Sequence, residues 1–204
     1  MTHRGGSALL TSRLATALLV VLASASPGPA EGAGTLTVEF LGRSEQAGAS
    51  VTHFGYLTHV DGMDDAALFS DPAVRTEATA RFTFVATTTL NARHVLDGII
   101  VTAAPGTLTI VGQDVPGASF ADPASFAAGS TLATFAIRYH NVLNTADTPM
   151  KGRASAAADV VQLGVPDAAA LRGRLTATGQ GTLTVPDPPT SFFLLGGSIV
   201  FSVP

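Results

Sequence analysis

Cysteine and tryptophan are both missing from this 204-residue chain, lysine occurs once, and no apolar run reaches the length of a membrane-spanning helix. Each absence removes a class of protein. Without cysteine there is no disulfide framework, no thiolate metal site, no redox pair and no cysteine nucleophile. Its absence also suits an oxidising destination. Without tryptophan and a cysteine pair, nothing specific supports an immunoglobulin-type core. With Lys151 as the sole lysine and no basic run, the chain lacks the clustered cations that neutralise phosphates, so no nucleic-acid partner is expected. Charged residues make up 13% of the sequence, about half the usual quarter, with alanine, glycine and threonine in their place. The local signatures of hydrolases, zinc peptidases and nucleotide-binding loops (G-x-S-x-G, H-E-x-x-H, Walker and G-x-G-x-x-G) are lacking too.

The first thirty residues are read apart from the rest. Arg4 and Arg13 give a positive start, Leu14 to Leu22 is an apolar run of about nine residues, and Ala23-Ser24-Ala25 has A-x-A spacing for a signal peptidase. Nine residues fall well short of the roughly 20 needed to cross a bilayer as a helix, so a cleaved export signal and no permanent membrane anchor are expected. Ser26-Pro27-Gly28-Pro29 then breaks the chain. This divides the sequence into a signal peptide with a short Pro/Gly linker at 1–30 and a single β domain at 31–204, secreted or extracytoplasmic after bacterial-type export. Without Arg4 and Arg13 the remainder has nine basic residues against fifteen acidic ones. About 175 residues suffice to bury a core unaided.

Along that remainder the dominant period is two. Leu36, Val38 and Phe40 alternate with Thr35, Thr37 and Glu39; Ala80, Phe82, Phe84 and Ala86 share one face of a second stretch, while Glu77, Thr79, Arg81, Thr83 and Thr87 share the other. Further β-type stretches are 51–60, 93–103, 107–111, 131–143, 172–178, 181–185 and 191–203. Ala104-Pro105-Gly106-Thr107 and Gly179-Gln180-Gly181 carry hairpin-turn chemistry. Helix signals are confined to Asp64–Phe69 and to Asp122-Pro123 followed by alanines and Gly129, while 154–163 reads either way. GTLTV, GTLTI and GTLTV recur at 34, 106 and 181, but their flanks disagree, which favours shared strand chemistry over duplication.

These features predict an all-β, antiparallel, single-domain β-barrel with very little helix. A two-sheet β-sandwich is the alternative. The glycine-rich strands with small inward residues favour tight curvature and hence the barrel. The last apolar stretch, Ser191 to Pro204, is read as a closing strand whose Phe193, Leu195, Gly197 and Ile199 pair with the first strand.

Candidate ligand-binding residues are His53, His59, Asp61, Glu77, Arg81, Arg138 and His140. His53 and His59 share a strand face but stand about 20 Å apart at roughly 3.3 Å per residue, too far to hold one metal. A site with His59 and Asp61 needs His94 or His140 from another strand, and the plainer reading is hydrogen-bonded or exposed strand histidines. The Asp61, Asp64 and Asp65 group lacks the calcium-loop pattern. No metal and no cofactor is therefore expected. Glu77, Thr79, Arg81 and Thr83 form either a polar lumen with Arg138 and His140 or an ordinary solvated outer face; the second is expected, since Phe82 and Phe84 make the better core. The functional expectation is non-catalytic binding of a small apolar or amphipathic ligand or a cell-surface component. A barrel enzyme of the isomerase or cyclase type, using His53, His59, Glu77, Arg81 or His140, is the alternative. An apolar cavity separates the two readings from a cluster of converging ionisable groups.

Overall fold

A computed structural model describes residues 34–145, 151–165, 170–184 and 190–202; the expected signal segment at 1–30 lies outside them. Nine strands account for most of the described chain: β1 (Thr35–Ala47), β2 (Ser50–Val60), β3 (Phe82–Thr89), β4 (Ala92–Leu96), β5 (Ile99–Gly112), β6 (Ser130–Asn144), β7 (Lys151–Gln162), β8 (Arg172–Thr184) and β9 (Thr190–Ser202). Every pairing is antiparallel. β9 returns to β1 along its whole length, from Thr35↔Ser202 to Ala47↔Thr190, so β1, β2, β3, β5, β6, β7, β8 and β9 form a closed eight-stranded barrel. The barrel reading therefore stands over the sandwich, and the last apolar stretch is its closing strand.

The ninth strand is extra. β3 pairs with the second half of β5 and β4 with the first half, so β3 and β4 lie end to end along one edge, separated at Leu90-Asn91. The β4–β5 hairpin turns at Asp97-Gly98, with Gly98 at φ +69°, a conformation that glycine adopts without the Cβ clash.

Neither of the two turns expected from the sequence forms, because both segments lie within strands. Ala104-Pro105-Gly106-Thr107 runs through the middle of β5. Ala104 and Pro105 fall between Ala103, paired with Ala92 of β4, and Gly106, paired with Thr88 of β3. A missing N–H does little harm where that edge has no partner strand. Gly179-Gln180-Gly181 lies inside β8, and Gly179 and Gly181 face inward where β9 runs close. A Cβ at Gly181 would fall 1.9 Å from the Phe192 carbonyl oxygen. Residues 154–163, open between helix and strand, fall in β7 as far as Gln162, with their inward alanines against β6 and β8. The two short helix signals hold: α1 (Asp65–Leu68) is capped by Asp64, whose carboxylate accepts from Ala67 N at 2.8 Å, and Pro123–Ala127 forms a 3-10 helix behind Asp122. The three GTLT segments begin β1, cross the middle of β5 and end β8, three different heights in the barrel.

The lumen is mainly apolar and the outward faces of β6, β7 and β8 are largely polar, while Leu41, Leu194 and Val200 leave exposed apolar side chains on the outside of β1 and β9. Leu36, Val38, Phe40, Phe82, Phe84, Leu108, Ile110, Phe135, Ile137, Val160, Ile199 and Phe201 are buried, whereas Arg138, His140, Lys151, Arg153, Asp159, Arg172 and Arg174 are exposed on β6, β7 and β8. Strand alternation produces this sorting directly. The barrel is filled at one end, where Phe82, Phe135, Phe201 and Val160 are essentially inaccessible and the segment between β2 and β3 adds Leu68, Phe69 and Ala80 to the same core. Above that floor, Gly42 and Gly55 face each other across β1 and β2 with the Phe84 ring laid over them; a Cβ on Gly55 would meet that ring at 2.8 Å.

A second, outer core lies on β2 and β3. The segment after β5 crosses their outward face and packs Phe126 and Ala118 onto Phe54, with Phe120 beside them. Thr83, read as part of a solvated face, is fully buried there: its hydroxyl donates to the Phe126 carbonyl at 2.7 Å and accepts from Gln113 Nε2 at 2.7 Å. Thr83 points outward as expected, but loop 113–129 covers it.

Candidate functional site

The upper half of the barrel is hollow. Inward positions there are small, with Ala86 on β3, Ala154, Ala156 and Ala158 on β7 and Ala177 and Gly179 on β8, so the walls stay apart and leave a cavity of about 140 Å³. Its deep wall is apolar, formed by Phe40, Leu57, Phe84, Ile137, Leu175 and Ile199. The lining runs up to exposed Arg93 and Thr190 at the opposite end from the phenylalanine floor.

A polar belt crosses this lumen. His53 on β2 stands between Ser44 of β1 and Ala86 of β3 in the register, and its ring meets the Tyr139 ring edge-on at 5.3 Å. It is half-buried and lines the cavity. Burial pushes its imidazole down to about 4, so the ring is neutral at neutral pH. Burial likewise raises the Tyr139 phenol above its ordinary value, opposed by the side-chain hydrogen bond with Thr88. Two residues nearer the mouth, Asn141 pairs in register with Thr102 of β5, and Thr102 in turn with Arg93 of β4. Asn141 Oδ1 is buried with no hydrogen-bond partner. Leaving a buried acceptor unmade costs about 1–3 kcal/mol, a cost that a donor reaching it from the cavity would remove.

Of the seven sequence candidates, His53 alone lines the cavity. His59 and Asp61 meet each other at 3.0 Å on the outer surface. Asp61 also accepts from Thr37 N at 2.7 Å, fastening the end of β2 to the start of β1. The backbone Thr37 bond, followed by the His59 bond, holds the Asp61 carboxyl below its ordinary value. Asp65 pairs with Arg75 at 3.0 Å. His140 and Arg138 are exposed on the outward face of β6, separated from His59 by β3 and β5, and His94 is exposed on β4, so the cross-strand set with His59 and Asp61 does not assemble. Glu77 lies in the segment before β3, where its charge adds to burial in raising the Tyr56 phenol. Arg81 reaches neither the lumen nor an ion pair with Glu77 among the described residues.

The sequence reading missed Tyr139, Asn141, Thr102 and Arg93. A signal for two of them was present: Ile137, Tyr139, Asn141 and Leu143 alternate with Arg138 and His140, so an inward Ile137 commits Tyr139 and Asn141 to the lumen and sends the two cations outward.

Comparison with known proteins finds no family model, no curated protein and no solved structure that matches this chain.

Proposed function

We propose that this protein binds a small apolar or amphipathic molecule in the barrel lumen and does not transform it. The observation that carries the reading is the half-filled lumen: a phenylalanine floor below and an apolar cavity of about 140 Å³ above. A cavity of roughly 150 Å³ lined by apolar side chains is known to hold benzene, so the space suits one ring or the end of an acyl chain. Catalysis would need ionisable groups that converge, and the isomerase or cyclase alternative keeps only His53 of its named residues inside the barrel. That residue, held neutral by burial, is a weak base at neutral pH.

Export of the mature domain is part of the same proposal, resting on the charge, apolar run and A-x-A order of the first 25 residues. The charged outward faces of β6, β7 and β8 support a barrel that faces water on that side, since a transmembrane barrel carries an apolar band all round; the exposed Leu41, Leu194 and Val200 are confined to β1 and β9.

Native mass spectrometry of the purified protein tests the binding reading. A co-purifying small molecule that is released on denaturation supports it. A protein that arrives empty, and whose lumen methyl resonances (Ala154, Ala156, Ile137) fail to move with any small aromatic probe, overturns it. The same spectra test export, because cleavage after Ala25 gives a defined mass.

A further inference from the structure

Resting on the lumen-binding reading, we infer that the ligand is a neutral molecule of single-ring size bearing a hydroxyl group, a phenol or a cyclic alcohol. Its hydroxyl seats against Asn141, Thr102 and His53. All three line the cavity. Asn141 and Thr102 are cross-strand neighbours on β6 and β5. Tyr139, two residues below Asn141 on the same face, touches the His53 ring and so joins the belt across the lumen.

Their bonding capacity selects the ligand group. Asn141 Oδ1 is buried and unpartnered, and neither the Thr102 hydroxyl nor the His53 ring makes a hydrogen bond among the described residues. An amide oxygen only accepts, whereas a hydroxyl and a neutral imidazole each donate and accept. A ligand hydroxyl can donate to Asn141 while accepting from Thr102 or His53. A carboxylate has nothing to donate to that oxygen and gives up its hydration on entering a largely apolar lumen. A hydrocarbon leaves the amide oxygen unmet, which is costly in a low-dielectric site. Arg93 is the one cation in the described lining, and it is exposed at the mouth, where water weakens its attraction for an anion.

Size sets the other limit. The cavity of about 140 Å³ takes one ring, and the hydroxyl must point toward the mouth because every deep-wall side chain named above is apolar.

A matched series tests this: phenol, benzene and benzoate titrated into the purified protein, followed by methyl chemical shifts of the lumen residues. Phenol is expected to bind about tenfold more tightly than benzene, the worth of one to two well-made hydrogen bonds, and benzoate more weakly than phenol. Asn141→Leu, close in shape, should bring phenol to the level of benzene while benzene still binds. Equal affinities for phenol and benzene in the unmodified protein would mean that solvent serves the belt, and would overturn the inference. Benzoate binding more tightly than phenol overturns it as well, by giving the selection to Arg93. Both results leave lumen binding intact, whereas no shift with any of the three ligands removes the lumen-binding reading itself.

Discussion

The two ends of this barrel are built from the same eight strands with the same alternation, yet one is solid and the other hollow. At the closed end the inward side chains are Phe82, Phe135, Phe201 and Val160, interlocked with Leu68 and Phe69 from outside the barrel. Toward the mouth the corresponding positions hold Ala154, Ala156, Ala177 and Gly179, and a thinner apolar cluster of Ile100, Leu143, Leu183 and Phe193. Strand geometry fixes the spacing of the walls at both ends, so side-chain volume alone decides whether the space is core or pocket. Stability should therefore reside in the floor and ligand recognition in the upper walls.

Truncating the floor is the severest way to break that division. Phe135 is inaccessible and stacks its ring 5.3 Å from Phe201, so Phe135→Ala is expected to cost about 3–5 kcal/mol by urea unfolding. A loss below about 1 kcal/mol would erase the distinction between floor and walls.

Acid probes the boundary between the two regions. Burial pushes the His53 imidazole down to about 4 in the fold, from an ordinary value of 6.5 in the unfolded chain. Between those values the unfolded chain binds a proton that the native protein refuses. Stability from this residue is thus complete above about pH 6.5 and is lost as pH falls toward 4, by at most about 3 kcal/mol. His53→Gln should flatten that part of the stability-versus-pH curve, and an unchanged slope would place the imidazole in water.

Filling the upper wall sharpens the comparison from the other side. Ala156→Leu adds volume into space that is already empty, so stability should stay within about 1 kcal/mol of the parent, while affinity for phenol falls at least about tenfold. A large loss of stability with binding preserved would show the upper half to be packed. The smallest effect belongs to the outer surface: His59→Ala removes an exposed pair with Asp61 and should change stability by no more than about 0.5 kcal/mol in thermal unfolding.

The barrel was legible because alternation is a local property. Leu36, Val38 and Phe40 or Phe82, Phe84 and Ala86 declare an inward face without knowledge of any partner. Gly179 and Pro105 were misleading for the converse reason. A glycine marks a turn when it takes positive φ, but here it marks close approach to β9, and Pro105 sits in a strand only because β5 changes partners beside it. The hairpin at Asp97-Gly98 had a D-G signal in the sequence, but the flanking strand residues Val95 and Ile99 blurred it into a continuous strand. Site residues were harder still. His53, Tyr139 and Asn141 converge only after β2 and β6 curl toward each other across the lumen, and their separation in the chain leaves no spacing motif. His59 and Asp61, conspicuous because they are adjacent, turn out to fasten a strand end.

Closure by β1 and β9 has a consequence for the order of events. The two strands that complete the circle stand at opposite ends of the described chain, and each contact between them spans nearly its whole length. Contacts so distant in sequence carry the greatest loop-closure entropy and form slowly. Until Thr190–Ser202 docks, the curved sheet has two raw edges and its hollow is an open trough, wet from both sides. A nascent or truncated polypeptide lacking that segment has nothing with which to enclose a guest, so the capacity to retain one arrives in a single step, with the final strand.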